Sequence, residues 1–307
     1  MMKLNVKIGN VECKNPVTIA SGTFGYVQKY AKPSDIKQLG AFIPKTITLK
    51  GHSGNPSPRI VETASGMLNA IGLENDGLEY FLENKLPELA SLKIPLIVSI
   101  SAQNKDEFLV LARALDAQEA ISAIELNLSC PNLANKRLVA QDAAATGELV
   151  RQVKGSVTKP VIAKLSPNVT DIAEIALCAQ DAGADAVSLV NTFMAMAVDI
   201  KRRKPVLGNI TGGLSGPAIK PIALKMVYDV RRRVKVPIIA MGGIMTGEDA
   251  LEFLITGATM VAVGTANLID PQAPLKVLEG IKKYMKDNKI EDIHQLIGSL
   301  KTSYDKP

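Results

Sequence analysis

Short runs of apolar residues, many of them β-branched, recur along the chain, and a stretch compatible with a helix follows each run. The runs cover residues 17–20, 41–43, 96–100, 123–127, 161–164, 186–190, 238–241 and 260–263. Continuous apolar runs are typical of parallel strands that are buried on both faces. About eight βα units close a barrel, so the pattern predicts an α/β fold of the (β/α)8 barrel type.

Local signals add detail to this barrel. A β-hairpin is predicted near the N-terminus around residues 8–10, and Thr170 and Gly183 are predicted to begin and end the helix between them. Residues 50–76 and 192–216 are rich in Gly, Pro, Asn and Ser and have little periodicity, which predicts long inserted loops with a function. No linker interrupts the chain, so a single domain is expected over residues 1–307.

Composition narrows the classes of protein to consider. The chain has 307 residues, of which 47% are hydrophobic and 21% charged, which is typical of a folded protein with a large core. It contains no apolar run of about 18 residues and no apolar block near its start, so a cytoplasmic protein is expected. The net charge of +6 favours an anionic partner, whether a phosphate-bearing cofactor, a carboxylate substrate or nucleic acid.

The three cysteines are isolated from one another, which excludes a disulfide framework and a cysteine-ligated metal site within this chain. Cys13 and Cys178 are predicted to be small packing residues. Cys130 follows the fourth predicted strand on a loop that contains Pro131. A thiol there has the reach and exposure to act as a base or a nucleophile, which makes Cys130 the strongest chemical candidate.

Small residues follow the last two predicted strands. Gly242 and Gly243 come after the seventh run, and Gly264 and Thr265 come after the eighth. The carboxyl ends of barrel strands meet at one mouth, and the turns after strands seven and eight are where this fold binds phosphate. Their backbone N–H groups, together with a helix N-terminus, therefore predict a phosphate site.

Two lysines and several asparagines fall at the same predicted mouth. Lys45 and Lys164 end runs that are otherwise apolar, and a buried ammonium group is costly unless it meets an anion. A flavin meets this demand, because a nearby cation stabilises its reduced ring. Amide side chains suited to a flat, imide-like substrate are supplied by Asn69, Asn127, Asn132 and Asn191.

With these residues assembled, the sequence resembles the class 1 dihydroorotate dehydrogenases, which are FMN enzymes of pyrimidine biosynthesis built on a (β/α)8 barrel. A cysteine base marks class 1, whereas class 2 enzymes use serine and carry an N-terminal extension, so Cys130 indicates class 1. Residues 198–200 and 212–221 resemble the class 1B catalytic subunit. The matching motifs are residues 20–25, 54–59, 69–73, 127–132, 164–168 and 212–217, together with the two phosphate turns.

The resemblance implies oxidation of (S)-dihydroorotate to orotate, with Cys130 taking the proton from carbon 5 and the hydride of carbon 6 passing to FMN. Lys45 and Lys164 are the other two positions that it implies for catalysis. The FMN positions that it implies are Ser21, Lys45, Thr46, Ser99, Asn127, Lys164, Val190, Gly216, Gly242, Gly243, Gly264 and Thr265. The implied substrate positions are Lys45, Asn69, Ile71, Gly72, Leu73, Asn127, Asn132, Asn191 and Thr192.

The resemblance also implies a partner subunit that carries FAD and a 2Fe-2S cluster and passes electrons to NAD. A homodimer of catalytic chains within a heterotetramer is expected, with no nucleic acid, membrane or metal partner for this chain. Two positions depart from the family pattern. Ser99 replaces the usual Asn, which is expected to weaken one flavin contact, and residues 134–137 replace a Gly-Gly turn beside Cys130.

Two alternatives remain at this point. The first is another FMN barrel, such as a dihydropyrimidine dehydrogenase-like reductase or a tRNA dihydrouridine synthase. A tRNA enzyme should carry an RNA-binding domain and a broad basic face, whereas the basic runs here, residues 201–204 and 231–233, are short. The second is a non-catalytic FMN-binding subunit, which would have no need for Cys130.

Overall fold

The computed structural model describes residues 2–25, 33–129 and 139–302. The strands are β1 Val6–Ile8, β2 Val11–Cys13, β3 Val17–Ile19, β4 Lys50–His52, β5 Ile60–Thr63, β6 Gly66–Asn69, β7 Asn75–Gly77, β8 Ile97–Ile100, β9 Ala123–Asn127, β10 Val161–Lys164, β11 Ala186–Leu189, β12 Phe193–Met196, β13 Val198–Asp199, β14 Lys204–Pro205, β15 Thr211–Ser215, β16 Ile238–Ala240 and β17 Met260–Val263. The helices are α1 Pro33–Ile36, α2 Leu78–Tyr80, α3 Leu86–Ala90, α4 Lys105–Asp116, α5 Ala143–Lys154, α6 Ile172–Asp181, α7 Lys220–Arg231, α8 Gly247–Thr256, α9 Ala266–Ile269 and α10 Ala273–Asp287.

Seven parallel strands form the wall of a barrel, in the spatial order β3-β17-β16-β11-β10-β9-β8. Every residue of β8, β9, β10, β11 and β17 is buried, as expected for strands covered on both faces. Helices α4 to α8 pack against one another in chain order, and α10 packs against α8. The predicted (β/α)8 barrel is therefore confirmed, with its helices forming an outer layer.

The second predicted run closes the wall between β3 and β8. Gly40 donates its N–H to the Val17 carbonyl at 2.9 Å, and Phe42 donates its N–H to the Pro95 carbonyl at 2.9 Å. Pro44 follows at once and has no N–H to contribute, so a continuous ladder cannot form here. This wall position is an extended segment joined by isolated bridges, and not a regular strand.

The N-terminal hairpin β1–β2 covers the amino end of the barrel. Its turn residue Gly9 has φ 58°, and a Cβ built there would lie 3.1 Å from Asp185 Cβ and 3.3 Å from Pro160 Cβ. Both of those residues precede wall strands, so the turn sits against the bottom of the barrel. Cys13 on β2 is fully buried, and this burial raises the pKa of its thiol to about 12. The predicted hairpin is confirmed.

The two segments predicted as loops contain strands. Strands from both segments form one antiparallel sheet in the order β12-β15-β6-β5, and Asn69 pairs with Gly213 in it. Two shorter antiparallel pairs, β4–β7 and β13–β14, complete these insertions. Because the insertions follow the second and sixth wall positions at their carboxyl ends, the extra sheet lies beside the mouth of the barrel.

Helix α6 begins one residue later than predicted. Asp171, and not Thr170, caps it by accepting hydrogen bonds from the N–H groups of Ala173 at 2.9 Å and Glu174 at 3.2 Å. A carboxylate at this position also interacts favourably with the helix dipole. The helix ends at Asp181, and Gly183, with φ 98°, terminates it as predicted. No helix among the described residues is long and apolar enough to span a membrane.

Candidate active site

A buried lysine ends wall strand β10 and points into the barrel. Lys164 is 5% exposed, and its Nζ donates a hydrogen bond to Ser21 Oγ at 3.0 Å. The same Nζ lies 3.7 Å from Glu125 Oε1. An ammonium group has three hydrogen-bond donors. Among the described residues only Ser21 receives one of them, so the other donors of Lys164 are available to a ligand.

Glu125 lies in the middle of strand β9 and has no exposed surface. Its Oε2 accepts a hydrogen bond from Ser188 Oγ at 2.8 Å, whereas its Oε1 has no hydrogen-bond partner among the described residues. Barrel interiors are usually filled by branched apolar side chains. Glu125 is an exception to this rule, and together with its polar neighbours Ser188 and Lys164 it forms a polar layer below the mouth.

Thr46 and Ser99 extend this layer on the neighbouring part of the wall. Thr46 Oγ1 donates to Ser99 Oγ at 3.0 Å, and both side chains are buried. Ser99 is paired with Glu125 in the register of β8 and β9. We call Thr46, Ser99, Glu125, Ser188 and Lys164 the polar layer.

An amide cluster lies at the carboxyl ends of β9 and β11. Asn191 Nδ2 donates to Ser129 Oγ at 2.8 Å and to Asn127 Oδ1 at 3.4 Å, and Asn191 Oδ1 accepts from the Thr192 N–H at 2.8 Å. These bonds fix the orientation of the Asn191 amide. Three predicted substrate positions are thereby held together at the mouth.

The extra sheet brings Asn69 to the same place. Asn69 Nδ2 donates to the Gly213 carbonyl at 3.4 Å. Thr192 packs so closely on Gly213 that a Cβ built on this glycine would lie 1.9 Å from Thr192 Oγ1. Gly213 therefore has to be glycine, and its lack of a side chain lets Thr192 of the amide cluster pack against the residue that pairs with Asn69.

The loop that contains Ile71, Gly72 and Leu73 is held by Asn55. The Asn55 N–H donates to the Ile71 carbonyl at 3.0 Å, and Asn55 Nδ2 donates to the Ala70 carbonyl at 3.1 Å. Gly72 has φ 76°, and a Cβ there would lie 2.6 Å from Asn55 Cγ. Asn55 is thus a support for predicted substrate positions.

An ion-pair cluster involves Lys45, the other predicted catalytic lysine. Lys45 Nζ lies 3.6 Å from Glu74 Oε2, and Arg59 lies 3.2 Å from the same oxygen. The hydrogen bond from Arg59 and the charges of Lys45 and Arg59 hold the pKa of Glu74 below its usual value. Lys45 and Glu74 also line a cavity of about 530 Å³. Lys45 therefore meets an anion in this structure, and that anion is a side chain of the protein itself.

The turns after the last two wall strands meet at Gly216. Gly216 has φ 95° and Gly243 has φ 76°, and a Cβ on Gly243 would lie 2.8 Å from the Gly216 carbonyl oxygen. Thr265 Oγ1 donates to Ser215 Oγ at 2.9 Å. The nearby α8 N-terminus has its own capping box of Thr246 and Asp249, so the N–H groups of these two residues are already bonded within the helix end.

These features fit a flavin. Gly216 and Gly243 pack closely against neighbouring backbone, and the space beside Gly264 holds only Ala20 Cβ at 3.6 Å, so no side chain of these turns blocks the approach of a phosphate. Lys164 offers a buried ammonium group with donors that are free as far as the described residues go, and cations near the flavin ring stabilise its reduced form. Ser21, Lys164 and the glycine turns are the described residues that would hold FMN.

The comparison with known families agrees with this geometry. The sequence model of the family described as "Dihydroorotate dehydrogenase" matches residues 3–285. The chain belongs to the dihydroorotate dehydrogenase family. It is 50% identical over 301 residues to the protein of Desulforamulus reducens named "Dihydroorotate dehydrogenase B (NAD(+)), catalytic subunit", and this match covers 97% of this chain and 99% of the relative.

Two further dihydroorotate dehydrogenase relatives carry the same name. The protein of Citrifermentans bemidjiense is 50% identical and that of Geobacter sulfurreducens 49% identical, each over 298 residues. Each match covers 97% of this chain and 98% of the relative. The predicted resemblance to class 1B catalytic subunits is confirmed.

Further positions that the dihydroorotate dehydrogenase resemblance assigns directly follow wall strands. Val190 is buried, and its side chain would lie 3.3 Å from a Cβ built on Gly242. Gly264 and Thr265 directly follow β17. Cys130 and Asn132 lie outside the described residues, so the roles assigned to them stay predictions.

Sequence reasoning missed two acidic residues of this dihydroorotate dehydrogenase site. Glu125 was part of a predicted strand but was not singled out, although a charged residue inside an apolar run was visible as a signal. Glu74 directly follows the predicted substrate position Leu73, but its pairing with Lys45 and Arg59 depends on tertiary contacts that sequence spacing does not reveal.

Proposed function

We propose that this chain oxidises (S)-dihydroorotate to orotate in pyrimidine (UMP) biosynthesis, as the FMN-binding catalytic subunit of an NAD-linked dihydroorotate dehydrogenase. The observation that carries the proposal is the buried Lys164 ammonium, with donors that no described residue accepts, beside the Asn127–Asn191 amide cluster at one barrel mouth. Residues 1–307 would form one FMN domain that acts in the cytoplasm.

The substrate is a cyclic imide that carries a carboxylate. Lys45 would bind this carboxylate in place of Glu74, because both anions suit the same ammonium group. The amides of Asn69, Asn127 and Asn191 would pair with the imide edge, where each offers a donor and an acceptor. Asn132 would be a fourth such amide.

The reaction removes a proton and a hydride from adjacent carbons, and a C5–C6 double bond forms in their place. Cys130 would act as the base and take the proton from carbon 5. Bound FMN supplies a two-electron acceptor for the hydride of carbon 6. Lys164 would hold positive charge beside this acceptor, and the Asn191 amide, fixed by Ser129, would orient the substrate.

The electrons would leave through a partner subunit that carries FAD and a 2Fe-2S cluster and reduces NAD. The three isolated cysteines of this chain support this division, since they cannot ligate a cluster. Exposed Met194, Met196, Val198 and Ile200 form an apolar stretch that supports subunit contacts. We propose a homodimer of catalytic chains within a heterotetramer.

The proposal is tested with Cys130→Ser. Steady-state oxidation of dihydroorotate with a dye acceptor is measured for both proteins, and FMN content is read from absorbance. We expect wild-type turnover with dihydroorotate but not with dihydrouracil. The variant should retain FMN and lose turnover by about 100-fold or more, the range for a positioned base. Full turnover in Cys130→Ser, or preference for dihydrouracil, would overturn the assignment.

A further inference from the structure

Glu125 and Lys164 are the two charged side chains among the buried described residues. They lie on adjacent strands, β9 and β10, with 3.7 Å between Glu125 Oε1 and Lys164 Nζ. An isolated charge inside a barrel is strongly disfavoured, and a partner of opposite charge offsets this cost. Each of these groups is therefore the counter-ion of the other.

We propose that Glu125 is a positioning residue that acts as the counter-ion of Lys164 and directs its ammonium group toward the flavin site. The inference rests on the proposed FMN function. Glu125 does not reach the substrate itself: it lies in the strand interior, two residues before Asn127, and it acts through Lys164.

Neighbouring hydroxyl groups set the orientation of the pair. Ser188 donates to Glu125 Oε2, which leaves Oε1 facing Lys164. Ser21 accepts from Nζ at 3.0 Å on another side. The separation of 3.7 Å is too long for a hydrogen bond, so Glu125 supplies charge and leaves the remaining ammonium donors for a ligand.

The other charges at the mouth are balanced separately. Lys45 pairs with Glu74, which also contacts Arg59. The polar layer otherwise contributes hydroxyl groups that do not titrate near neutral pH. Removal of the Glu125 charge would thus leave Lys164 as a buried cation without a counter-ion among the described residues, and burial of this kind favours the neutral amine.

The decisive variant is Glu125→Gln, which removes the charge and keeps an acceptor for Ser188. The midpoint potential of bound FMN relative to free FMN is measured from about pH 6 to about pH 9, in a Cys130→Ser background so that this thiol does not titrate. Ser188→Ala is the matched control, because it removes a hydrogen bond and keeps both charges. The double variant Glu125→Gln/Lys164→Gln tests whether Glu125 acts on the flavin through Lys164.

In Glu125→Gln, the preference for reduced over oxidised FMN should fall as pH rises, by up to about tenfold per pH unit, as Lys164 loses its proton. Wild type, Ser188→Ala and the double variant should not show this dependence of the reduced-FMN preference on pH, which is called the step below. General structural damage would weaken FMN binding at every pH and would not be cancelled by Lys164→Gln. A Glu125→Gln profile equal to wild type, or a step that persists in the double variant, overturns the proposal.

A second measurement covers the case in which Glu125→Gln does not fold. NMR of ¹³C-labelled lysine in the wild-type protein without FMN reads the charge of Lys164, with the signal assigned by its absence in Lys164→Gln. The expected Lys164 signal at pH 7 is that of an ammonium group, and the signal of a neutral amine would overturn the inference. Failure of the protein to bind FMN would count against the proposed function, whereas this NMR result stands independently of it.

Discussion

The Gly243 turn gives a prediction whose magnitude follows from the structure. Gly243 has φ 76°, a conformation that costs an L-residue about 1–2 kcal/mol. An alanine Cβ there would lie 2.7 Å from Lys220 Cβ, 2.8 Å from the Gly216 carbonyl oxygen and 2.9 Å from the Lys220 backbone nitrogen. Two of these atoms are backbone and cannot rotate away, so overpacking adds about 1–3 kcal/mol.

Gly243→Ala should therefore lower the free energy of unfolding by about 2–5 kcal/mol, which corresponds to a fall in Tm of roughly 3 to 8 °C for a chain of this length. The matched control is Gly264→Ala in the neighbouring turn. A Cβ on Gly264 would meet only Ala20 Cβ at 3.6 Å, an ordinary contact.

Calorimetry and FMN titration of both variants as apoproteins separate packing from cofactor binding. Gly243→Ala should lose both stability and FMN affinity. Gly264→Ala should keep the wild-type Tm and lose FMN affinity if the phosphate approaches this turn. A wild-type Tm for Gly243→Ala, or equal destabilisation by both substitutions, would refute the reasoning.

Three further predictions concern titratable groups. Burial alone would raise the pKa of Asp249, but hydrogen bonds from Lys220 and from the backbone hold it below its usual value. This stabilisation is present above the unfolded pKa of about 3.9 and is lost as pH falls through the folded value, so acid unfolding of Asp249→Asn should depend less steeply on pH below about pH 5. Glu74→Gln should free Lys45 for the substrate carboxylate and lower the KM for dihydroorotate with little change in kcat. A raised KM would contradict competition between Glu74 and the substrate carboxylate for Lys45. Cys13, fully buried with a pKa of about 12, should resist iodoacetamide at pH 8 until the protein unfolds, and rapid alkylation of native protein at this residue, read by peptide mass spectrometry, would refute its burial.

The barrel could be predicted because each wall strand is a continuous apolar run that can be recognised from the local sequence. A run such as residues 161–164 is apolar throughout, since β10 is buried on both faces, and it ends on Lys164 at the mouth. The extra sheet could not be predicted in this way. Strand β15 contains Gly212 and Gly213, residues that disfavour strands, and it pairs with β6 across more than a hundred intervening residues.

The residues of the candidate site also divide into those that the local sequence predicts and those that depend on tertiary contacts. The glycine turns, the lysines and the amides were visible as polar or small residues at strand ends, where the fold brings them together. The polar layer was not visible, because its bonds, such as that between Ser188 and Glu125, join different strands and depend on the barrel being closed. The shift of the α6 cap from Thr170 to Asp171 shows a different limit, since both residue types cap helices and only backbone geometry selects one.

The most direct test of the central claim is anaerobic stopped-flow absorbance of the FMN-loaded protein mixed with dihydroorotate, followed by NAD with and without the partner subunit. The account predicts rapid bleaching of the flavin absorbance by dihydroorotate, and its recovery by NAD only when the partner is present. Flavin that stays oxidised in excess dihydroorotate would contradict the account.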